Sequence, residues 1–260
     1  MLAKHNLPEE YLLWNDKWGS PHGRYGSLPI SATLASELIR KHGPFAFQAN
    51  NSTREFEYPW AYEQISRMGS CLAVIDIGGG VSGLQYVLAA GGHNVKTIDP
   101  GLKAKGLGFQ LDDAFHARLC KEFRSPVQLI TETLQDAGLQ DNSADVVVSI
   151  SALEHFSDND LQAAATHIQR ILKPNGSLVL TVDLFLDLIP FCNQQSNQWG
   201  RNVNIRTWLH QAGLELVYGN KKELYGFDEF AASNIMCELR NYHIGRYYPC
   251  IAQCLIARRR

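Results

Sequence analysis

The sequence predicts an open, mostly parallel α/β sheet with helices on both faces, preceded by an N-terminal helical cap. Three observations carry this expectation. Short apolar, β-branched runs recur from residue 72 onward, and turn-forming glycine, proline or aspartate punctuates them. Helical stretches fill intervals between the runs, an alternation that builds parallel βαβ units. The first 70 residues lack such runs and carry aromatic residues at helical spacing instead.

Taken in order, PEEYLLWNDKW and EFEYPWAYEQI read as helices joined by the glycine-rich GSPHGRYGSLP. The first strand covers residues 72–77 and runs into the glycines of VIDIGGGVSG, Val74 to Gly83. Residues 83–90 read as a helix, Gly91-Gly92 breaks it, and residues 94–98 form a second strand ending at Asp99-Pro100. Residues 127–130 make a third strand. Residues 145–150 make a fourth, β-branched enough to be buried on both faces. A helical run over 160–172 leads through the turn Pro174-Asn175-Gly176 to a fifth strand at 177–182. The polar and aromatic crossing 183–204 is longer than an ordinary connection, as a segment covering a site would be. A helix over 205–212 stops at Gly213, then 214–218 and 251–257 supply the last two strands. The expected organisation is a cap and candidate lid over 1–70 and a main domain over 71–260, with 183–204 as an acceptor-side insertion.

Composition narrows the function. A chain of 260 residues with 45% hydrophobic and 19% charged side chains is an ordinary globular protein, large enough for one domain with a cap. Its 24 basic and 26 acidic side chains create no general cationic field, which argues against a nucleic-acid partner. No apolar run approaches bilayer-spanning length, and MLAKHNLPEEY lacks the order of a signal peptide. A cytoplasmic protein without a membrane partner is expected. The six cysteines show no C-x-x-C spacing, so neither a disulfide framework nor a zinc site is expected. Asp112-Asp113 and Asp158-x-Asp160 read as solvated helix starts rather than a magnesium site.

The glycine stretch poses the functional question. Gly78, Gly80 and Gly83 fit G-x-G-x-x-G, the pattern that rests a pyrophosphate on a helix N-terminus. Asp76, two positions before Gly78, would repel such a phosphate and favour a cationic or zwitterionic ligand. Asp99, closing the second strand, suits the two hydroxyls of a ribose. Charge therefore argues against a dinucleotide oxidoreductase, while the ribose signal fits any adenosyl ligand.

At this point the chain resembles the class I S-adenosylmethionine-dependent methyltransferases. The resemblance rests on VIDIGGGVSG, on Asp99, on DNSADVVVSISALEHF (141–156) and on ILKPNGSLVLTVD (171–183). It implies a Rossmann-like methyltransferase fold with a seven-stranded, mostly parallel sheet, and S-adenosyl-L-methionine as cofactor. It further implies that Asp76, Gly78, Gly79 and Gly80 hold the methionine part, that Asp99 binds the ribose, that Thr131, Glu132 and Thr133 flank adenine, and that Ser151 joins the cofactor side. The family usually has another glycine soon after Gly80, where this chain has Ser82 and then Gly83. The first 70 residues lie outside the resemblance.

Transfer from a sulfonium is an in-line displacement whose leaving group departs neutral, so an oxygen acceptor needs a base and no acid. His155, after the fourth strand, is the candidate base; pocket wall and structural histidine stay open beside that role. Trp14, Trp18, Tyr58, Trp60, Trp199, Tyr242 and His243 are acceptor-side candidates, and core packing competes with binding for each aromatic ring among them. The expected function is methyl transfer to a small-molecule or sugar acceptor, at oxygen. The alternatives are a catalytically silent member of the fold and, more remotely, a dinucleotide oxidoreductase. Oligomeric state is left open.

Overall fold

The computed structural model describes residues 1–20, 32–46, 50–80, 82–101 and 113–259. Seven strands form one sheet in the order β3-β2-β1-β4-β5-β9-β8. These are β1 (Ala73–Ile77), β2 (Asn94–Ile98), β3 (Val127–Ile130), β4 (Ala144–Ile150), β5 (Leu172–Phe185), β8 (Leu214–Tyr218) and β9 (Cys250–Arg259). The first five pair in parallel, and β9 runs antiparallel to both β5 and β8. The mostly parallel seven-stranded expectation therefore holds.

Each strand lies within a residue or two of its predicted position except β5. There the segment 173–176 loops out: Ala144 pairs with Leu172, yet Val146 pairs with Ser177. Asn175 supplies the left-handed residue of that loop, with φ 63°. Strand β5 also runs three residues beyond Val182, because β9 pairs with it as far as Phe185.

Alternation along the strands feeds two cores. Val74, Val146, Val148 and Val179 face one side, with helices α1 (Glu9–Trp18), α3 (Arg54–Met68) and α4 (Leu84–Ala90). Ile75, Ile77, Val147 and Leu178 face the other, against α6 (Asp158–Ile171) and α7 (Ile205–Gln211). Ser157 caps α6 by accepting from the Asp160 N–H, and Asn204 caps α7 through Thr207. Helices α2 (Ala32–His42), α5 (Asp113–Glu122) and α8 (Ala232–Cys237) complete the α-helices among the described residues, and a 3-10 turn over Leu153–His155 follows β4. The crossing 183–204 contains a small hairpin, β6 (Ser196–Asn197) and β7 (Gly200–Arg201). Most of GSPHGRYGSLP, including the candidate lid, lies outside the described residues.

Candidate functional site

The C-terminal end of β1 turns sharply into α4, and this turn is built from backbone that needs glycine. Gly78 and Gly80 have φ of 73° and 54°, and a Cβ on Gly78 would lie 2.6 Å from that of Ala152, just beyond β4. A Cβ on Gly79 would lie 2.2 Å from Asp76 Oδ2. Asp99 fixes the turn from the neighbouring strand: its Oδ2 accepts from the Gly80 N–H at 2.8 Å and its Oδ1 from the Gly101 N–H at 2.7 Å. Two side chains outside the motif complete the scaffold. Gln85 donates through Nε2 to the carbonyls of Gly80 and Ser82, each at 3.1 Å, while Thr97 donates to its Oε1.

Asp76 stands in this turn as a buried acid. Its Oδ2 has no hydrogen-bond partner, and it lines a small cavity with Tyr58, Gly78, Gly79 and Ser82. Burial, then the nearby Asp99, pushes the Asp76 carboxyl up to about 7. Burial also raises Asp99, against the pull of its two backbone donors. Such a pair of carboxylates welcomes positive charge.

On the other side of the β4 end, the cap inserts charge into the core. Arg54 and Glu57, at the start of α3, are both buried and paired at 2.5 Å. Glu57 Oε2 accepts from Ser151 Oγ at 2.7 Å and from Thr181, and Arg54 reaches Asp183 at 3.5 Å. Tyr248 donates to Asp183 Oδ2 at 3.0 Å. Burial alone would lower the Arg54 pKa, but Glu57 and Asp183 carry it upward, so the guanidinium persists. Glu154, fully buried, accepts from the Asp183 N–H through Oε1 and leaves Oε2 unpartnered. Burial, then Asp183, raises it well above the carboxylate range.

His155 sits beside this network. Its Nδ1 meets the Trp199 carbonyl, which accepts only from an N–H, and its Nε2 has no partner among the described residues. Burial lowers its pKa against the opposing pull of the Trp199 carbonyl and Asp183, so the ring is neutral at pH 7. A neutral imidazole with Nδ1–H engaged has its lone pair on Nε2.

The remaining predicted residues are spread more widely. Ser151 has a left-handed φ of 44°, and its hydroxyl is spent on Glu57 and, at 3.2 Å, on Asp183. Thr131, Glu132 and Thr133 follow β3 directly, and Thr133 donates to Asp136 at 2.7 Å. Tyr58 donates to Asn50 and faces the Asp76 cavity. Trp199 stacks on Tyr248 with ring centroids 5.0 Å apart. Trp14 packs on Phe45 and Tyr62, and Trp18 lies under Lys17. Trp60 is buried near Tyr218. Tyr242 bonds Glu223 and Glu238 beneath Lys4, and His243 lies beside His5. The structure thus gathers Asp76, the glycines, Asp99 and Tyr58 about one turn, and His155, Ser151 and Trp199 about one network. It puts Trp14, Trp18, Trp60 and Tyr242 in hydrophobic clusters and leaves His243 beside His5. Among the described residues no group of histidine, cysteine and acid side chains could hold a metal ion.

Comparison with known proteins adds a family. Residues 75–180 match the family model described as methyltransferase domain. No curated protein matches the chain in sequence. Solved structures match in fold. The 1,6-didemethyltoxoflavin-N1-methyltransferase of Burkholderia thailandensis, with bound S-adenosylhomocysteine, superposes at a TM-score of 0.56 and 14% identity, covering 90% of this chain and 92% of that one. The magnesium protoporphyrin IX methyltransferase of Synechocystis PCC 6803, with bound SAH, gives 0.51 at 15% identity over 97% and 100% of the two chains. A SAM-dependent methyltransferase of Methanosarcina mazei gives 0.51 at 16% identity over 76% and 96%.

Proposed function

Because the chain belongs to the class I S-adenosylmethionine-dependent methyltransferases, we propose that it methylates a small-molecule or sugar acceptor at oxygen, with His155 as the base. The cofactor supplies a methyl group on a sulfonium that departs as a neutral thioether. The residues present fit it: the unpartnered Asp76 Oδ2 awaits a cation or donor, and the glycine turn leaves the backbone bare of side chains. Asp76, Gly78, Gly79 and Gly80 would hold the methionine part, Asp99 the ribose, and residues 131–133 the adenine.

The observation that carries the oxygen reading is the state of His155. A hydroxyl acceptor must lose a proton as it is methylated, and a neutral ring with Nε2 unprotonated can take it. Charge supports an uncharged acceptor. The neighbouring network sets one guanidinium, Arg54, against the carboxyls of Glu57, Asp183 and Glu154, so among the described residues this network leaves no unpaired cation for an anionic substrate. The two superposing enzymes named for toxoflavin and porphyrin acceptors share this fold over nearly the whole chain, which supports an acceptor of small-molecule size. Tyr58 and Trp199 are the aromatic candidates that this reading retains beside the acceptor. A cytoplasmic location belongs to the same reading; all six cysteines are unpaired, and no described helix is long and apolar enough to cross a membrane.

The test is incubation with methyl-labelled cofactor and an extract of the source organism, followed by mass spectrometry of small molecules and polymers. Label is expected on an oxygen of one small molecule, and His155→Ala is expected to slow its appearance by about 10² to 10⁴ while keeping affinity for S-adenosylhomocysteine. Label on RNA or protein would refute the acceptor class. Tight S-adenosylhomocysteine binding with no label transferred would favour the catalytically silent reading.

A further inference from the structure

The crossing 183–204 meets His155 through the Trp199 carbonyl, and the contact is built with more constraint than a loop needs. Gly200 has φ 147°, and a Cβ there would lie 2.2 Å from the Glu154 carbonyl oxygen and 3.4 Å from His155 Nδ1. Only glycine lets the hairpin backbone come this close, and the approach sets the Trp199 carbonyl on Nδ1. The hairpin is then fastened on both sides. At its turn, Asn197 Oδ1 accepts from the Trp199 and Gly200 N–H groups at 2.8 and 3.1 Å, while its Nδ2 donates to the Asp187 carboxylate at 3.2 Å. At its far end, Arg201 donates to the Phe156 carbonyl at 2.6 Å and pairs with Asp158, bracketing His155 from the residues that follow it. Asn202 closes the base of the loop by bonding both backbone groups of Phe185 and the Ile189 carbonyl.

We propose that the hairpin 196–201, latched by Arg201, is a positioning device that holds His155 as the Nδ1–H tautomer and reserves Nε2 as its proton acceptor. The inference rests on the base reading of His155 for its purpose, not for its geometry. A backbone carbonyl does this differently from a carboxylate. It fixes the tautomer and ring orientation but adds no full negative charge to stabilise the imidazolium. The charged groups that act on the ring are Asp183 from β5 and Arg54 from α3, and they oppose each other. Trp199, Gly200 and Arg201 are accordingly positioning residues.

The test reads the ring directly. Long-range ¹⁵N–¹H spectra of the full chain saturated with S-adenosylhomocysteine, recorded over roughly pH 5 to 8, report tautomer and titration of each histidine, with His155→Ala assigning the signal. The parent is expected to show the Nδ1–H form. Gly200→Ala and Arg201→Gln are each expected to shift the tautomer ratio toward Nε2–H by about fivefold or more, the equivalent of one neutral hydrogen bond. Arg201→Lys, which keeps a cation for Asp158 and Phe156, should restore part of the parent ratio. If Gly200→Ala fails to fold, Arg201→Gln decides alone. A parent ring in the Nε2–H form, or no shift in any folded variant, overturns the proposal. Its failure is distinct from that of the base reading, because the spectra need no acceptor, whereas the base reading falls if His155→Ala methylates as fast as the parent.

Discussion

Asp76 is buried with its Oδ2 unpartnered. Its folded pKa, about 7 against an ordinary value of 3.8, means that the native state holds a proton which the unfolded state releases. The sign follows directly: stability falls as pH rises from the unfolded value through the folded one, and the full cost is present above pH 7. Asp76→Asn should therefore raise the melting temperature of the free protein at pH 8, with little effect at pH 4, while weakening cofactor binding chiefly at pH 8, where the parent carboxyl is ionised. Thermal denaturation at the two pH values checks it, and a variant less stable at pH 8 would show that the carboxylate holds the turn together instead. Asp99 is also raised by burial but differs in its partners, since both its oxygens already serve backbone donors. Asp99→Ala should weaken S-adenosylmethionine binding by about tenfold or more, the loss of one charge-assisted bond, while unfolding remains cooperative. Calorimetry that finds unchanged affinity in a folded variant would remove Asp99 from the site.

Elements differ in how plainly the sequence announces them, and the difference is physical. Strands β1 and β4 are legible because burial on both faces forces apolar, β-branched runs, β2 and β3 because short apolar stretches end at turn residues, and the glycine turn because positive φ and close packing exclude side chains. The hairpin of β6 and β7 is not, since strands of two polar residues have no periodicity to read; only Gly200 marks it. The start of α3 is legible only in part. The sequence sets Arg54 and Glu57 beside Tyr58 and Trp60, but their burial depends on docking against Ser151, Thr181 and Asp183, which are distant in the chain. Gln85 and Thr97 escape notice for the same reason, because their partners are backbone carbonyls and each other. Arg54→Met should accordingly do more harm than loss of a surface pair. It strands Glu57 and Asp183 as buried carboxylates, at a cost of about 3 to 5 kcal/mol, which for a chain of this size lowers the melting temperature by roughly 10 °C. Arg54→Met combined with Glu57→Gln should recover a good part of that loss in urea denaturation. A single variant as stable as the parent would mean that water reaches the network.

At the scale of the whole molecule, the cap and the sheet share one core. Ala3, Tyr11, Phe45, Phe56 and Trp60 belong to the same buried cluster as Val74, Val146, Val179 and Cys254. Gly83, entering α4, is glycine because the Phe45 ring lies where its Cβ would be, 2.6 Å away. The Ala3 N–H donates to the Ala252 carbonyl at 2.8 Å, so the first residues lie against β9. Arg54 and Glu57 then tie α3 to the ends of β4 and β5. A segment fastened this way contributes packing to the main domain and does not merely rest on it. The prediction is that the full chain unfolds in one transition, with tryptophan fluorescence, three of whose five reporters are Trp14, Trp18 and Trp60 in the cap, coinciding with the far-ultraviolet signal of the sheet. Residues 71–260 expressed alone should lack a cooperative melt, because removing the cap exposes one face of the central strands and leaves Ser151, Thr181 and Asp183 without their partners. If that fragment melts sharply and binds S-adenosylhomocysteine with parental affinity, then the cap is a separable module, and control of the acceptor side by α3 would have to be sought in its motion rather than its packing.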